Sequence, residues 1–195
     1  MQWMLAIDTC GAEGGVAVGE NGRIIAQRRM PARETQELLM LSIADCLKEA
    51  GVTAQQLDRI AVTTGPGSFT GVRIGLAAAK GLAEALQIPI VAVSRLLLMA
   101  KQGTTAFLDA SRGDVYAGGE EMVESLLSRE AAIALPGKIV VGEEPLRSLG
   151  EWVQVPTVVD LVEATSQSKD FADIALLDAN YLRLPDAEVA LRERQ

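Results

Sequence analysis

The sequence predicts an α/β fold with mixed sheets and flanking helices, and three features of the chain carry this prediction. Its first half alternates short apolar runs, which are typical of strands, with two long helical segments. Three strand-like runs precede the first helix, which indicates an antiparallel start to an otherwise parallel sheet. From about residue 104 the chain becomes rich in short strands. We therefore expect an N-terminal lobe over residues 1–103 and a smaller C-terminal lobe with its tail over residues 104–195.

The first three strands are predicted to form a meander. Residues 4–9 are an apolar run that ends in a polar pair. Residues 15–19 and 24–27 then flank Asn21-Gly22, and this dipeptide is the strongest short-range signal for a two-residue hairpin turn.

The rest of the first lobe is predicted as helices that alternate with strands. Gly51 follows an amphipathic run, which is typical of a helix C-terminus. In chain order the predicted elements are a helix at 34–50, a strand at 57–63, a helix at about 70–86, a strand at 88–93 and a helix at 96–102. The predicted elements of the second lobe are strands at 105–109, 114–117 and 138–142 and short helical stretches near 145–149 and 171–178.

The composition excludes several classes of enzyme. The chain has 195 residues, a formal net charge of −8 and no histidine, so it cannot hold a Ser-His-Asp triad, a Cys-His pair or a zinc site built on histidine. Cys10 and Cys46 are too few for a four-sulfur zinc site, and we expect two free thiols. The acidic balance argues against autonomous binding of nucleic acid.

The sequence favours a cytoplasmic protein. Residues 1–7 carry no basic start of the kind that a signal peptide has. The longest apolar run, residues 88–100, is interrupted by Arg95 and is too short to span a bilayer. Free thiols are also typical of a reducing compartment.

The first long helix carries more apolar surface than packing on a sheet requires. Residues 38–41 are four consecutive apolar residues, which cover most of the circumference of a helix. A stripe through Leu39 and Ile43 suffices for a sheet, so Leu38 and Leu41 are left over. Either this helix is sandwiched within its own domain, or the extra surface faces a partner protein.

The second long helix carries a row of small residues four positions apart, namely Gly71, Gly75, Ala79 and Ala83. Such a row lets another backbone approach closely, which would offset the cost of glycine within a helix. The predicted interface residues are Leu38, Leu41, Ile74 and Ala78, with Gly71, Gly75 and Ala79 as the close-contact ridge. Gly75→Leu is then expected to abolish partner binding without unfolding the lobe.

A glycine-rich loop at residues 65–71 joins a strand to the second long helix. Backbone N–H groups at a helix N-terminus attract anions, and glycine lets a phosphate approach. The same residues can equally form a turn and a helix cap, and the loop lacks the Lys-Ser or Lys-Thr pair of a Walker motif. The residues of a candidate anion or nucleotide site are Asp8, Thr9, Gly65, Gly67 and Ser68. No catalytic residue and no metal ligand is assigned.

These motifs together resemble the TsaB family, also called YeaZ. Residues 65–75, Gly-Pro-Gly-Ser-Phe-Thr-Gly-Val-Arg-Ile-Gly, form a long and specific match. Further matches lie at residues 7–9, 79–83, 89–94, 111–116 and 181–183. The resemblance implies an actin-like ATPase (ASKHA) fold with two ribonuclease-H-like lobes. It also implies a role in making threonylcarbamoyladenosine at position 37 of tRNA.

The resemblance further implies a non-catalytic subunit of the complex that transfers the threonylcarbamoyl group. In the family, TsaB dimerises with its catalytic paralogue TsaD through a bundle of its first two long helices, here 34–50 and 70–86, and the ATPase TsaE joins them. ATP and metal are then expected on the partner subunits, and tRNA is reached through those partners. A homodimer is an open alternative for the isolated chain.

A comparison with the paralogue TsaD and one departure from the family pattern add to these expectations. The His-x-x-x-His metal site of TsaD corresponds to Arg95 and Met99 here, which implies that this chain holds no catalytic metal or other cofactor and is not a peptidase. After Tyr116 the chain continues with three small residues, 117–119, so a shortened second lobe is expected. Arg73, Arg95 and Lys80 are interpreted as solvated side chains, although either arginine could pair with an acid of a partner.

Two other functions remain open on the sequence. One is an acetate- or sugar-kinase-like phosphotransferase that uses the loop at 65–71 together with Asp8. The other is a bare homodimerisation module, since a pair of apolar helices can be self-complementary about a two-fold axis.

Overall fold

The first sheet has five strands and begins with the predicted meander. In the computed structural model, which describes residues 2–183, these strands are β1 Trp3–Asp8, β2 Glu13–Glu20, β3 Arg23–Pro31, β4 Arg59–Thr63 and β5 Ile90–Val93. They lie in the order β3-β2-β1-β4-β5, with β1 to β3 antiparallel and with β4 and β5 parallel to β1. Asn21 and Gly22 have φ angles of 50° and 84°, the positive values that this hairpin turn needs, so the hairpin prediction is confirmed.

Helices cover both faces of this sheet. The long helices α1, Thr35–Ala50, and α2, Phe69–Leu86, pack on the face that carries Leu5 of β1. On the opposite face, which carries Ala6, lies a later helix, Val158–Thr165, named α5 below. Because side chains alternate along a strand, β1 contributes to both cores and is buried on each side.

The second sheet repeats the topology of the first. Its strands are β6 Thr104–Asp109, β7 Val115–Gly119, β8 Met122–Leu127, β9 Lys138–Val141 and β10 Glu151–Trp152. They lie in the order β10-β9-β6-β7-β8, so that a meander again begins the sheet and two parallel strands extend it beyond the first strand of the meander. Helix α3, Arg95–Met99, packs on one face of this sheet. Helix α4, Arg129–Ala134, and the 3-10 helix Glu144–Leu149 pack on the other.

Two helices pack on the sheet of the other lobe, as lobes are defined by the expected boundary at residue 103. Helix α3 precedes this boundary but packs on the second sheet, whereas α5 follows it and packs on the first sheet. The boundary therefore separates the sheets but not the helices that cover them. Residues 184–195 of the expected C-terminal tail lie outside the described residues.

The second half differs from the predicted elements at several places. The helix predicted near residues 171–178 is wrong: the chain makes a turn there, in which the Asp173 carboxylate accepts the backbone N–H of Ala175 at 2.9 Å. Strand β7 continues through Gly119, where a Cβ would lie within 3.0 Å of the Thr104 carbonyl oxygen, so glycine permits this close approach of β6 and β7. Elements β8, α4 and α5 occupy segments for which the sequence predicted no structure.

None of the helices among residues 2–183 is long and apolar enough to span a membrane.

Candidate functional site

The outer side of α1 is an apolar surface that residues 2–183 leave uncovered. Leu39 and Ile43 are buried against the first sheet, as the predicted stripe requires. Leu38 is half-buried beside them, whereas 53% of Met40 and 63% of Leu41 are exposed. The surplus apolar surface that was predicted for this helix is therefore largely solvent-facing in this chain. Large exposed apolar side chains that lie together mark sites of association more often than isolated ones do.

The row of small residues on α2 faces inward and not toward a partner. Gly71 and Gly75 are buried, and a Cβ on either would lie within 3.0 Å of an oxygen of Thr9. Ala79 in the same row is fully buried in the first core. The close backbone approach that these residues permit is therefore to the end of the chain's own β1. The structure corrects the prediction that Gly71, Gly75 and Ala79 form a ridge for a partner.

A different row of small residues on α2 faces outward. Ala77, Gly81 and Ala85 are four positions apart and exposed. Within the described part of the chain, no side chain or distant backbone atom lies within 4 Å of the position that a Cβ of Gly81 would take. Ile74 and Ala78 are half-buried and also pack against the first core, so these two predicted interface residues keep part of their surface free.

The glycine-rich loop at residues 65–71 folds back onto its own chain. A Cβ on Gly67 would lie within 3.0 Å of the Cys10 carbonyl oxygen, and that same oxygen accepts the backbone N–H of Ser68 at 2.8 Å. The Ser68 hydroxyl accepts the N–H of Gly71 at 3.2 Å and so caps α2. Gly65 has a φ of 95° and its carbonyl accepts the N–H of Arg95 at 2.8 Å. These contacts are those of a turn and a helix cap, the second of the two interpretations of this loop.

Asp8 and Thr9 hold the end of β1 against its neighbours. The Asp8 carboxylate accepts the hydroxyl of Thr63 at 2.7 Å and the backbone N–H of Cys10 at 3.0 Å. The hydroxyl of Thr9 donates to the Gly71 carbonyl at 2.6 Å, so it fixes the first turn of α2. Most of what these two side chains do in the described chain is therefore structural, although Asp8 also lines a cavity between the lobes.

Both cysteines are free, as predicted, and both are buried. Burial raises the pKa of the Cys10 thiol from 9.0 to about 12, and the negative charge of Asp8 adds to that effect. Burial also raises the pKa of Cys46 to about 11. A thiol reacts as its thiolate, so neither side chain is a nucleophile near neutral pH.

Arg95 lies between the two lobes and is only 3% exposed, which contradicts its interpretation as a solvated side chain. It begins α3 and lines two cavities, of about 350 and 340 Å³. Met99, the second residue that the resemblance matches to the metal site of TsaD, is buried in the core of the second lobe. Among residues 2–183 there is no cluster of three or more His, Cys, Asp or Glu side chains that could hold a metal ion.

Arg73 and Lys80 both hold the last described segment against α2. Arg73 donates through Nε to the Tyr181 hydroxyl at 2.6 Å, and its guanidinium carbon lies 3.9 Å from the centre of the Phe69 ring. Lys80 donates to the Leu177 carbonyl at 2.8 Å. The interpretation of Lys80 as a solvent-facing side chain is therefore wrong. No local pattern in the sequence predicts these contacts, because Arg73 and Lys80 each bind a residue about a hundred positions later in the chain.

Comparison with known proteins identifies the family. A sequence model of the family described as "TsaD: tRNA N6-adenosine threonylcarbamoyltransferase" matches residues 27–142. The "tRNA threonylcarbamoyladenosine biosynthesis protein TsaB" of Escherichia coli (strain K12) is 34% identical over 163 residues, which cover 79% of this chain and 71% of that protein. The chain belongs to the TsaB (YeaZ) family. The TsaB protein of Bacillus subtilis (strain 168) is 36% identical over 133 residues, 65% of this chain and 58% of that relative.

A solved structure agrees with this assignment to TsaB. "YeaZ from Pseudomonas aeruginosa" superposes on this chain with a TM-score of 0.76 at 27% identity, over 93% of this chain and 100% of that one. The fold is thus the actin-like ATPase (ASKHA) fold, in which each ribonuclease-H-like lobe has a mixed sheet with flanking helices, as predicted.

Proposed function

We propose that this TsaB-family chain is a non-catalytic subunit of the complex that attaches the threonylcarbamoyl group to adenosine 37 of tRNA. It acts by pairing with a TsaD-type transferase. The names of the relatives from E. coli and B. subtilis support a role in this modification. The observation that carries the pairing is the exposed apolar side of α1, where Met40 and Leu41 lie next to each other in the chain.

The two long helices suit a helical interface. α1 supplies large apolar side chains, and the neighbouring α2 supplies the exposed small residues Ala77, Gly81 and Ala85. A large side chain of a partner helix that packs over small residues can approach the backbone closely, which gives a tight contact. Leu38, Ile74 and Ala78 are half-buried along the two helices and extend this surface.

Several properties support an accessory role and not a catalytic one. The chain contains no histidine, and Arg95 and Met99 occupy the positions that correspond to the metal ligands of TsaD. An arginine is not a metal ligand in such a site, and a thioether is a poor ligand for zinc or a hard ion. The net charge of −8 disfavours autonomous binding of tRNA, so we propose that tRNA, ATP and metal are held by TsaD-type and TsaE-type partners.

The pairing is tested by size-exclusion chromatography with light scattering on the full chain, alone and mixed with its TsaD-type paralogue. We expect a one-to-one complex for the wild type. Leu41→Glu places a charge on the apolar surface and should weaken the complex by roughly 30-fold, the effect of losing a hot-spot residue.

Ile133→Glu is the matched control, because Ile133 is 66% exposed on α4 of the other lobe. It should bind as the wild type does. A wild-type chain that ignores the paralogue, or a folded Leu41→Glu variant that binds it normally, contradicts the proposed interface. Activity assays add a second criterion: threonylcarbamoyl transfer by this chain alone would contradict the non-catalytic role.

A further inference from the structure

The last described segment, residues 171–183, crosses from the first lobe to the second and is named the strap below. On the first lobe it adds to the edge of the sheet, since the N–H of Ala172 donates to the Ile90 carbonyl of β5 at 2.8 Å. Three apolar side chains of the strap pack against the first core, namely Ile174, Leu177 and Ala179. Backbone hydrogen bonds and apolar packing therefore hold the strap on the first lobe.

The contacts of the strap with the second lobe are mostly polar. The side-chain amide of Asn180 donates to the carboxylate of Glu124 on β8. Arg183 donates through Nη2 to the Asp114 carboxylate at 2.5 Å and to a backbone carbonyl of the turn between β6 and β7 at 3.2 Å. Leu182 packs against the core that α3 covers. The two ends of the strap are thus held by different kinds of interaction.

Asn180 joins the two sheets through a single residue. Its backbone N–H donates to the carbonyl of Thr64, directly after β4, at 2.8 Å, while its side chain binds Glu124 on β8. The other carboxylate oxygen of Glu124 is buried and has no hydrogen-bond partner among residues 2–183, so the amide of Asn180 compensates the burial of this carboxylate. A change in the angle between the lobes moves β4 relative to β8 and must break one of the two bonds.

We propose that the strap sets the angle between the two lobes and that its end on the second lobe is the one that releases. The ion pair between Arg183 and Asp114 is partly open to water, where such a pair contributes little stability. Release of this end leaves the strap on the first sheet. The lobes then stay joined by the connections from β5 to α3 and from β10 to α5, about which they can turn.

The angle is measured by double electron–electron resonance between two spin labels on the full chain, one on each lobe. Lys48→Cys on α1 and Glu130→Cys on α4 supply exposed attachment sites. The two native thiols are buried, so they do not take the label. An excess of unlabelled chain removes any distance that a homodimer would add. We expect a single narrow distance distribution for the otherwise wild-type chain.

Asn180→Asp is the variant that releases the strap. It places a second carboxylate against Glu124 without a change in size, and at pH 8 both groups are ionised and repel each other. The distance distribution should then broaden and move. Asn180→Asp combined with Glu124→Gln is the matched control, because it exchanges donor and acceptor and restores the hydrogen bond. This exchanged pair should return the distribution of the wild type.

Amide hydrogen exchange at Ala172 reports whether the end on the first lobe stays in place. Its N–H should remain as protected in Asn180→Asp as in the wild type, since its bond to Ile90 lies on the first sheet. Faster exchange at Ala172 would show that the whole strap detaches, which contradicts a releasing end on the second lobe alone.

An unchanged distance distribution in Asn180→Asp overturns the proposal. So does an exchanged pair that behaves like the single variant, because the hydrogen bond between Asn180 and Glu124 would then not set the angle. Should the single variant fail to fold, Arg183→Met takes its place, since it removes the other polar contact with the second lobe. An unchanged distribution in that variant also overturns the proposal.

Discussion

Gly75 of α2 lies directly against Thr9 at the end of β1. A Cβ on Gly75 would come within 3.0 Å of the Thr9 hydroxyl oxygen, and that hydroxyl donates to the carbonyl of Gly71 at 2.6 Å. The helix therefore rests on the strand through two glycines and one hydrogen bond. The position of α2, and with it the outward side that carries Gly81, depends on this contact.

Gly75→Ala should lower the free energy of unfolding by roughly 1–3 kcal/mol, because the new methyl group pushes α2 away from Thr9. Gly81→Ala is the matched substitution in the same helix. Its Cβ meets open space, so the higher helix propensity of alanine should stabilise the chain by about 0.5–1 kcal/mol. Urea unfolding of the two variants measures both values.

A Gly75→Ala variant as stable as the wild type would contradict the contact with Thr9. Because Gly75 faces Thr9 inside the lobe, Gly75→Leu should unfold the first lobe and not, as the sequence predicted, remove partner binding selectively. Partner binding is instead tested at exposed positions such as Leu41.

The sequence predicted the first lobe well where its signals are local. Asn21-Gly22 defines its hairpin, and Gly51 ends α1 with a φ of 71°. Helix α5 was missed because what stabilises it is remote: it covers the face of β1 that carries Met4 and Ala6, about 150 residues earlier. An apolar run such as β1 shows that a strand is buried but not what buries it.

The candidate site could be predicted only in part, for a related reason. The sequence showed that α2 carries small residues, but several rows spaced by four satisfy that pattern, and only packing decides which row faces the sheet. The burial of Arg95 had no sequence signal, because the lobe that covers it comes later in the chain. The surplus apolar surface of α1 was predictable because four consecutive apolar residues, 38–41, exceed what one buried side can hold.

The buried thiol of Cys10 predicts a loss of stability at alkaline pH. Its pKa is about 12 in the folded chain and 9.0 otherwise, so above pH 9 the unfolded chain loses this proton first. Stability then falls as pH rises from 9 toward 12, and the contribution of this group should drop by about 1.4 kcal/mol between pH 8 and pH 10.

Urea unfolding of wild type and Cys10→Ala at pH 8, 9 and 10 isolates this effect, since all other groups titrate in both proteins. The difference in unfolding free energy between the two should shift by that amount in favour of Cys10→Ala as the pH rises. A difference that is independent of pH would show that Cys10 ionises as readily in the folded chain as in the unfolded one.

Tyr181 should determine how firmly the last described segment is held on α2. The Phe69 and Tyr181 rings pack on each other with their centres 5.4 Å apart. Arg73 lies over the Phe69 ring and donates to the Tyr181 hydroxyl, while the adjacent Asn180 N–H donates to the Thr64 carbonyl at 2.8 Å. Tyr181→Ala removes the ring and the hydrogen bond, each of which contributes about 1 kcal/mol. Together they amount to about 2 kcal/mol, so amide hydrogen exchange in residues 171–183 should become roughly 30-fold faster.

Trp152→Ala provides the control, because Arg147 lies over Trp152 in the second lobe with its guanidinium carbon 4.6 Å from the ring centre. It removes a comparable cation–π contact without touching the segment on α2, so exchange in residues 171–183 should stay at the wild-type rate. If Tyr181→Ala leaves that rate unchanged as well, the segment is held by other contacts. The hydrogen bond from Lys80 to the Leu177 carbonyl is then the next contact to remove, because it holds the same segment at a position shortly before Tyr181.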